Sequence, residues 1–331
     1  MKMTKMGKNG PEVSVLGIGA MSFAGFYGPT TEPEVHALLD ASLEMGVTHL
    51  DTSNIYGMGK SETLIGSYIK KTGKPDAFYI ATKAGITKDA DGNRCYDNSL
   101  EHIEAELDAS LKRLNRDYVD LFYIHRREAN RPIEEVTESL AKLVQKGKIK
   151  AFGFSEIAPA SLRRANAVAH VAAVQSEYSL STRAPELGLV QTCAELGTAL
   201  VAFSPVGRGL LSDTPPDAAK AQSVAFMRTN PRFMGDNLTR NLEYVAKLQA
   251  LAAEMGTSTA ALAMAWVIAK GDHILPIPGT RSIAHLQQLV DGCALTLSEA
   301  DIARIETVLP VGWAYGDRYS DDQWYGPERF S

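Results

Sequence analysis

Cysteine is scarce in this 331-residue chain: there are three. Cys95, Cys193 and Cys293 lie far apart with no C-x-x-C spacing, so neither a disulfide framework nor a zinc knuckle is encoded. An excess of one charge is also missing. Lys and Arg number 34 against 39 Asp and Glu, a net charge of −5, and without a basic field neither nucleic acid nor an anionic lipid surface is an expected partner. The longest apolar run, Ala260 to Ala269, is far too short to span a bilayer. The opening MKMTKMGKNG has no apolar stretch of the secretory kind, so the expected location is the cytoplasm. No H-E-x-x-H or comparable ligand cluster occurs, and no metal is expected. Low-complexity tracts, long linkers and internal repeats are absent as well, so residues 1–331 are expected to form one domain.

What is present is a large apolar fraction, 45%, distributed in a regular rhythm. Asn9-Gly10 between short mixed segments predicts a hairpin, and VLGIGAM (residues 15–21) reads as a buried strand. Thr31, followed by Glu32, Pro33 and Glu34, opens a helix that runs to Met45, with Gly46 placed to end it. Strands are then expected at Thr48–Asp51, Phe78–Thr82, Val119–Ile124, Ile149–Phe154, Ala173–Gln175, Ala199–Phe203 and His273–Pro276. Between them helices are expected at Ser61–Lys71, Ser99–Leu114, Ile133–Lys146, after Pro159, and at Pro185–Leu196. An irregular insertion, 205–237, precedes helices at Leu238–Met255 and Ser258–Lys270, and two more at Ser282–Val290 and Ser298–Leu309 follow the last strand.

Eight strands separated almost throughout by helices point to a parallel sheet, because parallel neighbours need helical crossovers. The expected fold is a (β/α)8 TIM barrel with an N-terminal hairpin and C-terminal helices and tail. A doubly wound open sheet is the rival. The closed barrel accounts better for polar residues that follow strand after strand around the chain. Asp51 closes the second strand, Tyr56 follows in its loop, Lys83 follows the third and His125 the fourth. Each has an ordinary structural explanation alone, but together they make a chemical set: a Tyr beside a cationic Lys is expected to have its pKa lowered towards the range of a general acid.

Around those residues the chain resembles the aldo-keto reductases nearly end to end, in the branch of the pyridoxal, perakine and aryl-aldehyde reductases. The text that carries the resemblance is GIGAM at 17–21, DTSNIYGMGKSE at 51–62, ATK at 81–83, YIHR at 123–126, GFSE at 153–156, QSEYSL at 175–180, SPVGRG at 204–209 and PIPGTRS at 276–282. It implies an Asp51, Tyr56, Lys83, His125 tetrad that reduces an aldehyde or ketone with hydride from a nicotinamide. Tyr56 would give the proton, Lys83 and Asp51 would tune it, and a neutral His125 would orient and polarise the carbonyl. Gly17-Ile18-Gly19-Ala20-Met21-Ser22 misses the Rossmann fingerprint, so the cofactor is expected across the barrel mouth, with Met21 beside it. The resemblance puts Tyr178 stacked on the nicotinamide, and Gln175, Ser155 and Glu156 at its carboxamide.

Ser204, Pro205, Val206, Gly207, Arg208 and Gly209 follow the seventh strand, and Gly279, Thr280 and Arg281 follow the eighth and lead into a helix. Glycines that let backbone N–H groups approach, with a helix start nearby, read as phosphate sites. Arg281 is the expected partner of a 2′-phosphate, which favours NADPH over NADH. Two positions depart from the family pattern: Glu156 stands where an Asn is common, and Leu289 where an Asn often reads the adenine, leaving Gln287 as the expected adenine contact.

Phe23, Phe26 and Tyr27 in the first loop, with Tyr56, His125 and Trp313, form the expected substrate site. The tail adds Tyr315, Tyr319, Trp324, Tyr325 and Phe330, which suit either an apolar wall for a bulky carbonyl compound or packing on the outside of the barrel. Besides a reductase of small-molecule carbonyls, the tetrad admits a cofactor-sensing subunit similar to the potassium-channel β subunits; a metal-dependent hydrolase lacks its ligands.

Overall fold

The computed structural model describes residues 1–329 and 331, so Phe330 lies outside the described residues. The chain opens with the expected hairpin, β1 (Met3–Lys5) against β2 (Glu12–Ser14). It lies across the N-terminal ends of the barrel strands, where Lys8 N–H donates to the Gly197 carbonyl at 2.7 Å and Thr4 Oγ1 to the Asp272 carbonyl at 2.8 Å. The first half of the barrel then alternates β3 (Gly17–Gly19), α1 (Glu32–Glu44), β4 (His49–Asp51), α2 (Lys60–Thr72) and β5 (Tyr79–Ala84). A second hairpin, β6 (Ile86–Lys88) with β7 (Arg94–Tyr96), interrupts the rhythm before α3 (Leu100–Leu114), β8 (Val119–Ile124) and α4 (Ile133–Gln145). The second half comprises β9 (Ile149–Ser155), α5 (Pro159–Val168), β10 (Ala173–Glu177), α6 (Leu189–Leu196) and β11 (Ala199–Phe203). Two short helices, α7 (Ala218–Ser223) and α8 (Ala225–Arg228), precede α9 (Gly235–Glu254), α10 (Thr259–Ala269), β12 (Ile274–Ile277), α11 (Ile283–Ala294) and α12 (Glu299–Val308).

The eight strands β3, β4, β5, β8, β9, β10, β11 and β12 lie side by side and parallel. The Gly19 N–H donates to the Pro278 carbonyl at 2.9 Å, which brings the last strand back to the first and decides for the closed barrel over the open sheet. Local chemistry sets the helix ends as the sequence predicts: Thr31 and Glu34 form a capping box on α1, and Ser99 and Ser282 accept from the third backbone N–H of α3 and α11. α10 is apolar all round and buried, with Trp266 fully enclosed between barrel and outer helices. No single helix among the described residues is long and apolar enough to cross a membrane.

Four sequence expectations change. VLGIGAM yields strand only at Gly17–Gly19, because the chain turns into a 3-10 helix, Ala20–Ala24, where the Ser22 hydroxyl donates to the Thr280 carbonyl at 3.0 Å. Pro185–Leu196 is not one helix: Gly188 at φ 142° is outside any helical conformation and separates a 3-10 turn from α6. The 205–237 insertion is partly helical. The β6–β7 hairpin is short and polar, and its turn is held by Asp89 and Asn93, a pattern too brief for a periodicity to register.

Two glycines make room inside the barrel. A Cβ on Gly153 would lie 2.7 Å from the Tyr123 ring and 2.3 Å from the Ala173 carbonyl oxygen, and one on Gly17 would lie 2.6 Å from His49 Nδ1. The space left by Gly17 is filled by the His49 ring, which has no hydrogen-bond partner at either nitrogen. Burial pushes its pKa down to about 3, with Lys83 adding to the shift. Since the unfolded chain binds this proton near pH 6.5 and the folded one does not, folding stability falls as pH drops from about 6.5 towards 3. The His49→Leu variant is expected to lose stability less steeply across that window, by up to about 1.4 kcal/mol per pH unit, as measured by urea unfolding at stepped pH.

Candidate active site

Inward-facing positions alternate along each strand, so residues near the C-terminal ends share one rim. Asp51 on β4 pairs in register with Gly19 and Ala81, Lys83 on β5 with Tyr123, and Gln175 on β10 with Ser155 and Val201. Lys83 is fully buried, and its ammonium contacts Asp51 Oδ1, donates to the Thr52 carbonyl at 2.7 Å and reaches the Tyr56 hydroxyl at 3.4 Å. Asp51 Oδ2 accepts from Gln175 Nε2 at 2.8 Å. His125 Nδ1 lies 3.1 Å from the Ser53 hydroxyl, and its ring meets Tyr56 edge-on with centroids 5.9 Å apart. The four residues expected to form the tetrad are therefore brought together.

Their electrostatics follow from burial. Desolvation works against the Lys83 ammonium, but Asp51, with Tyr56 adding, holds its pKa above the ordinary value, so Lys83 stays charged. Burial, then Arg126, Lys83 and Arg94, hold the His125 imidazole well below its ordinary pKa, so it is neutral at physiological pH, as expected. The expected lowering of Tyr56 does not occur: burial raises its phenol, and Lys83 opposes this without cancelling it. A phenol enclosed by the rim loses more water than one ammonium at 3.4 Å restores.

Asp51, Tyr56 and His125 open onto a cavity of about 900 Å³, at the upper end of the range for small-molecule sites. Of the residues expected at the cofactor, Met21, Ser155, Gln175, Ser204, Pro205, Val206, Arg208, Gly209, Gly279, Thr280 and Arg281 line it, as do Phe26 and Tyr27 of the expected substrate set. Ser204, Gly207, Arg208 and Gly209 all have left-handed backbone, at φ 53°, 58°, 61° and 92°, which turns this segment sharply against the wall. Gly207 itself sits behind the wall, with its N–H held on the Ser204 carbonyl at 2.8 Å. Arg281 lines the opposite side and donates to the Tyr27 and Pro29 carbonyls at 2.9 and 2.6 Å.

Other expected residues are placed elsewhere. Tyr178 is fully buried in the helix layer, packing on Trp266 at 5.6 Å and donating to Glu186 at 2.8 Å. The reason is alternation: with Gln175 inward on β10, Tyr178 faces outward. Glu156, one residue past inward-facing Ser155, has left-handed backbone at φ 58° and a carboxylate that accepts from Glu177 N–H at 3.0 Å and from Arg318 at 2.6 Å. It does not line the cavity. Gln287 donates to Asp291 at 2.7 Å on the solvent face of α11, whereas His285, Gln288 and Leu289, spaced three and four apart, face the cavity. Phe23 is enclosed in the core. Trp313 packs on Tyr244 and donates to the Leu180 carbonyl at 2.8 Å, outside the barrel mouth.

The sequence reading missed Phe203, the inward aromatic two residues beyond Val201 on β11, which period-two counting finds. It also missed Lys220, Phe226 and Met227 of the insertion, Arg94 of the unforeseen hairpin, and Gln323, all lining residues. Tyr319 lines the mouth too, its hydroxyl accepting from Arg126 at 3.3 Å. The tail thus does both things considered for it: Trp313 packs outside, and Tyr319 and Gln323 reach the cavity.

A buried ionic network ties these parts together. Glu177 accepts from Arg208 at 2.6 Å and Arg232 at 3.4 Å, with Arg318 at 3.9 Å, while Arg318 also pairs with Glu156. Burial acts to raise the Glu177 carboxyl, but the three guanidiniums, Arg208 foremost, hold it below its ordinary pKa. Among the described residues no group of three or more His, Cys, Asp or Glu side chains is arranged to hold a metal.

A closed parallel barrel with a cavity at the C-terminal ends of its strands is an enzyme architecture. A sequence profile of the Aldo/keto reductase family matches residues 15–310. The chain is 36% identical over 311 residues to the aldo-keto reductase yakc [NADP(+)] of Schizosaccharomyces pombe, covering 93% of this chain and 92% of that one. It is also 36% identical to a probable aldo-keto reductase of Glycine max, over 95% of this chain and 91% of the other. Among solved structures, a glycerol dehydrogenase from Gluconobacter oxydans superposes with a TM-score of 0.80 at 25% identity, covering 93% of this chain and 94% of its own. A thermostable aldo-keto reductase bound to the inhibitor epalrestat gives 0.75 at 27%, covering 93% and 100%. The chain belongs to the aldo/keto reductase family, and is an oxidoreductase.

Removing Arg318 leaves Glu156 as a buried carboxylate without its partner. Arg318→Met is expected to cost about 3–5 kcal/mol in chemical denaturation, and the Glu156→Gln/Arg318→Met pair considerably less than the sum of the two single changes.

Proposed function

We propose that the protein is an NADPH-dependent reductase of an aldehyde or ketone, with Tyr56 as proton donor and His125, Lys83 and Asp51 as its partners. The observation that carries this reading is a protonated phenol and a neutral imidazole side by side on the cavity wall, with a buried ammonium 3.4 Å behind the phenol.

The lining fits a dinucleotide. The left-handed Ser204–Gly209 turn and the Gly279–Ser282 segment at the start of α11 are backbone surfaces suited to phosphate. Phe203 offers an aromatic face at the inner wall, the place first expected for Tyr178. Gln175 has its amide nitrogen committed to Asp51, so its oxygen is the end that meets a carboxamide, with Ser155 beside it. Arg281 uses two of its N–H groups on the first loop, and a guanidinium has five, so three remain for a 2′-phosphate. The naming of the Schizosaccharomyces relative as NADP(+)-linked agrees with that preference.

A nicotinamide held along this lining would supply the hydride that the carbonyl carbon accepts. As negative charge develops on the carbonyl oxygen, the Tyr56 hydroxyl hands it a proton, and the Lys83 ammonium stabilises the phenolate left behind. Asp51 and the Thr52 carbonyl hold Lys83 in place for this. His125 orients the same oxygen through Nε2; for that nitrogen to donate, Nδ1 accepts from Ser53, the contact seen at 3.1 Å. Phe26, Tyr27, Phe226 and Tyr319 supply an aromatic surround suited to a bulky carbonyl compound.

Tyr56→Phe is expected to lower kcat for carbonyl reduction by about 10²–10⁴ while NADPH still quenches protein fluorescence with a similar Kd. Wild-type turnover in that variant would remove Tyr56 as the acid. Arg281→Ala is expected to raise the Kd for NADPH at least about tenfold more than that for NADH; equal losses for the two cofactors would mean that Arg281 serves only to hold the Tyr27–Pro29 loop.

A further inference from the structure

The tetrad end of the cavity carries positive charge that its own side chains do not balance. Arg126 follows His125 at the end of β8 and is only 8% exposed, yet it lines the cavity. Its three hydrogen bonds go to neutral acceptors: the His125 carbonyl at 2.7 Å, Ser155 Oγ at 3.1 Å and the Tyr319 hydroxyl at 3.3 Å. Its Nε has no acceptor, and among the described residues no carboxylate pairs with it. A guanidinium taken out of water is normally matched by an anion, because neutral acceptors return only part of the lost hydration.

Arg94 lines the same cavity from the β6–β7 hairpin and is likewise without a carboxylate partner among the described residues; its guanidinium rests over the Tyr96 ring at 5.5 Å. Both arginines depress the pKa of His125, which places their charges near its ring. The three acidic residues of the lining are already engaged. Asp51 is held by Lys83 and Gln175, Glu34 by Thr31 in the cap of α1, and Asp213 by Thr259 at 2.8 and 2.6 Å. Arg208, in contrast, has Glu177. Tyr319 accepts from Arg126 through its oxygen, which leaves its own hydrogen as one more donor at this wall.

We propose that the carbonyl substrate carries an anionic group, a carboxylate or a phosphate, received by Arg126 and Arg94 while its carbonyl oxygen meets Tyr56 and His125. This substrate class rests on the reductase reading and narrows it: the compound joins an aldehyde or ketone, an apolar or aromatic body and a negative charge. Arg126 is the fixed member of the pair, locked by three hydrogen bonds. Arg94, on an exposed hairpin, is the adaptable one.

Two matched pairs test this with NADPH and the full-length protein: para-carboxybenzaldehyde against its methyl ester, and pyridoxal phosphate against pyridoxal. The anionic member is expected to be favoured at least about tenfold in kcat/KM, chiefly through KM, since a charged hydrogen bond replaces a neutral one, and the advantage should shrink as salt is added. Arg94→Gln, at an exposed site where folding is not at stake, should bring the anionic-to-neutral ratio towards one, and Arg126→Lys should lower it as well. A preference in the benzaldehyde pair alone assigns a carboxylate, and one in the pyridoxal pair alone a phosphate. Neutral members reduced as well as anionic ones, or a ratio unmoved in both variants, overturn the inference and leave the reductase standing. Failure of all four compounds to oxidise NADPH overturns both.

Discussion

The contact between Lys83 and Asp51 is the constraint around which the barrel mouth is arranged. An ammonium and a carboxylate enclosed by strands are tolerable only if each is matched and the remaining hydrogen-bonding capacity is filled. Here the Thr52 carbonyl takes a second proton of Lys83, and Gln175 satisfies the other oxygen of Asp51. Asp51 stands opposite Ala81, and Lys83, two residues further along β5, reaches back to it from one side while Gln175 on β10 reaches it from another. Tyr56, half-buried beside this pair, is the group through which the buried charge meets a ligand.

A second electrostatic arrangement, wider and nearer the surface, decides the shape of the cavity. Glu156 and Glu177 leave the ends of β9 and β10 and draw in Arg208 and Arg232 from the insertion and Arg318 from the tail. The insertion and the tail are thereby held against the rim, and Tyr319 is delivered beside Arg126. The strained, left-handed backbone at Glu156 and Arg208 is retained because these ion pairs over-determine it. Arg126 and Arg94 stand outside the network. Arg126 marks the contrast: it is buried without a carboxylate among the described residues, whereas the guanidiniums of Arg208, Arg232 and Arg318 each have one.

Much of the barrel could be read from apolar runs and helix caps, because β-branched strands and Ser or Thr caps act over a few residues. Boundaries failed where a single backbone conformation intervened, as at Gly188, or where a polar segment such as Ile86–Tyr96 formed a hairpin without periodicity. The tetrad was readable because each member follows a strand directly, so chain order maps onto the rim. Residues at the cofactor wall were readable in part. Tyr178 and Gln287 were misplaced, although strand alternation for one and helix spacing for the other point the correct way.

Local sequence thus settles the order of the elements, the eightfold repeat and the presence of Asp51, Tyr56, Lys83 and His125 near strand ends, since these depend on residue type and short spacing. The folded chain alone decides that Glu156 binds Arg318 instead of facing the cavity, that Tyr319 rather than Trp313 reaches the mouth, and that Tyr56 titrates above its ordinary range. Those outcomes depend on desolvation and on charges separated by up to 162 residues of chain, and neither distance nor burial exists until the barrel closes.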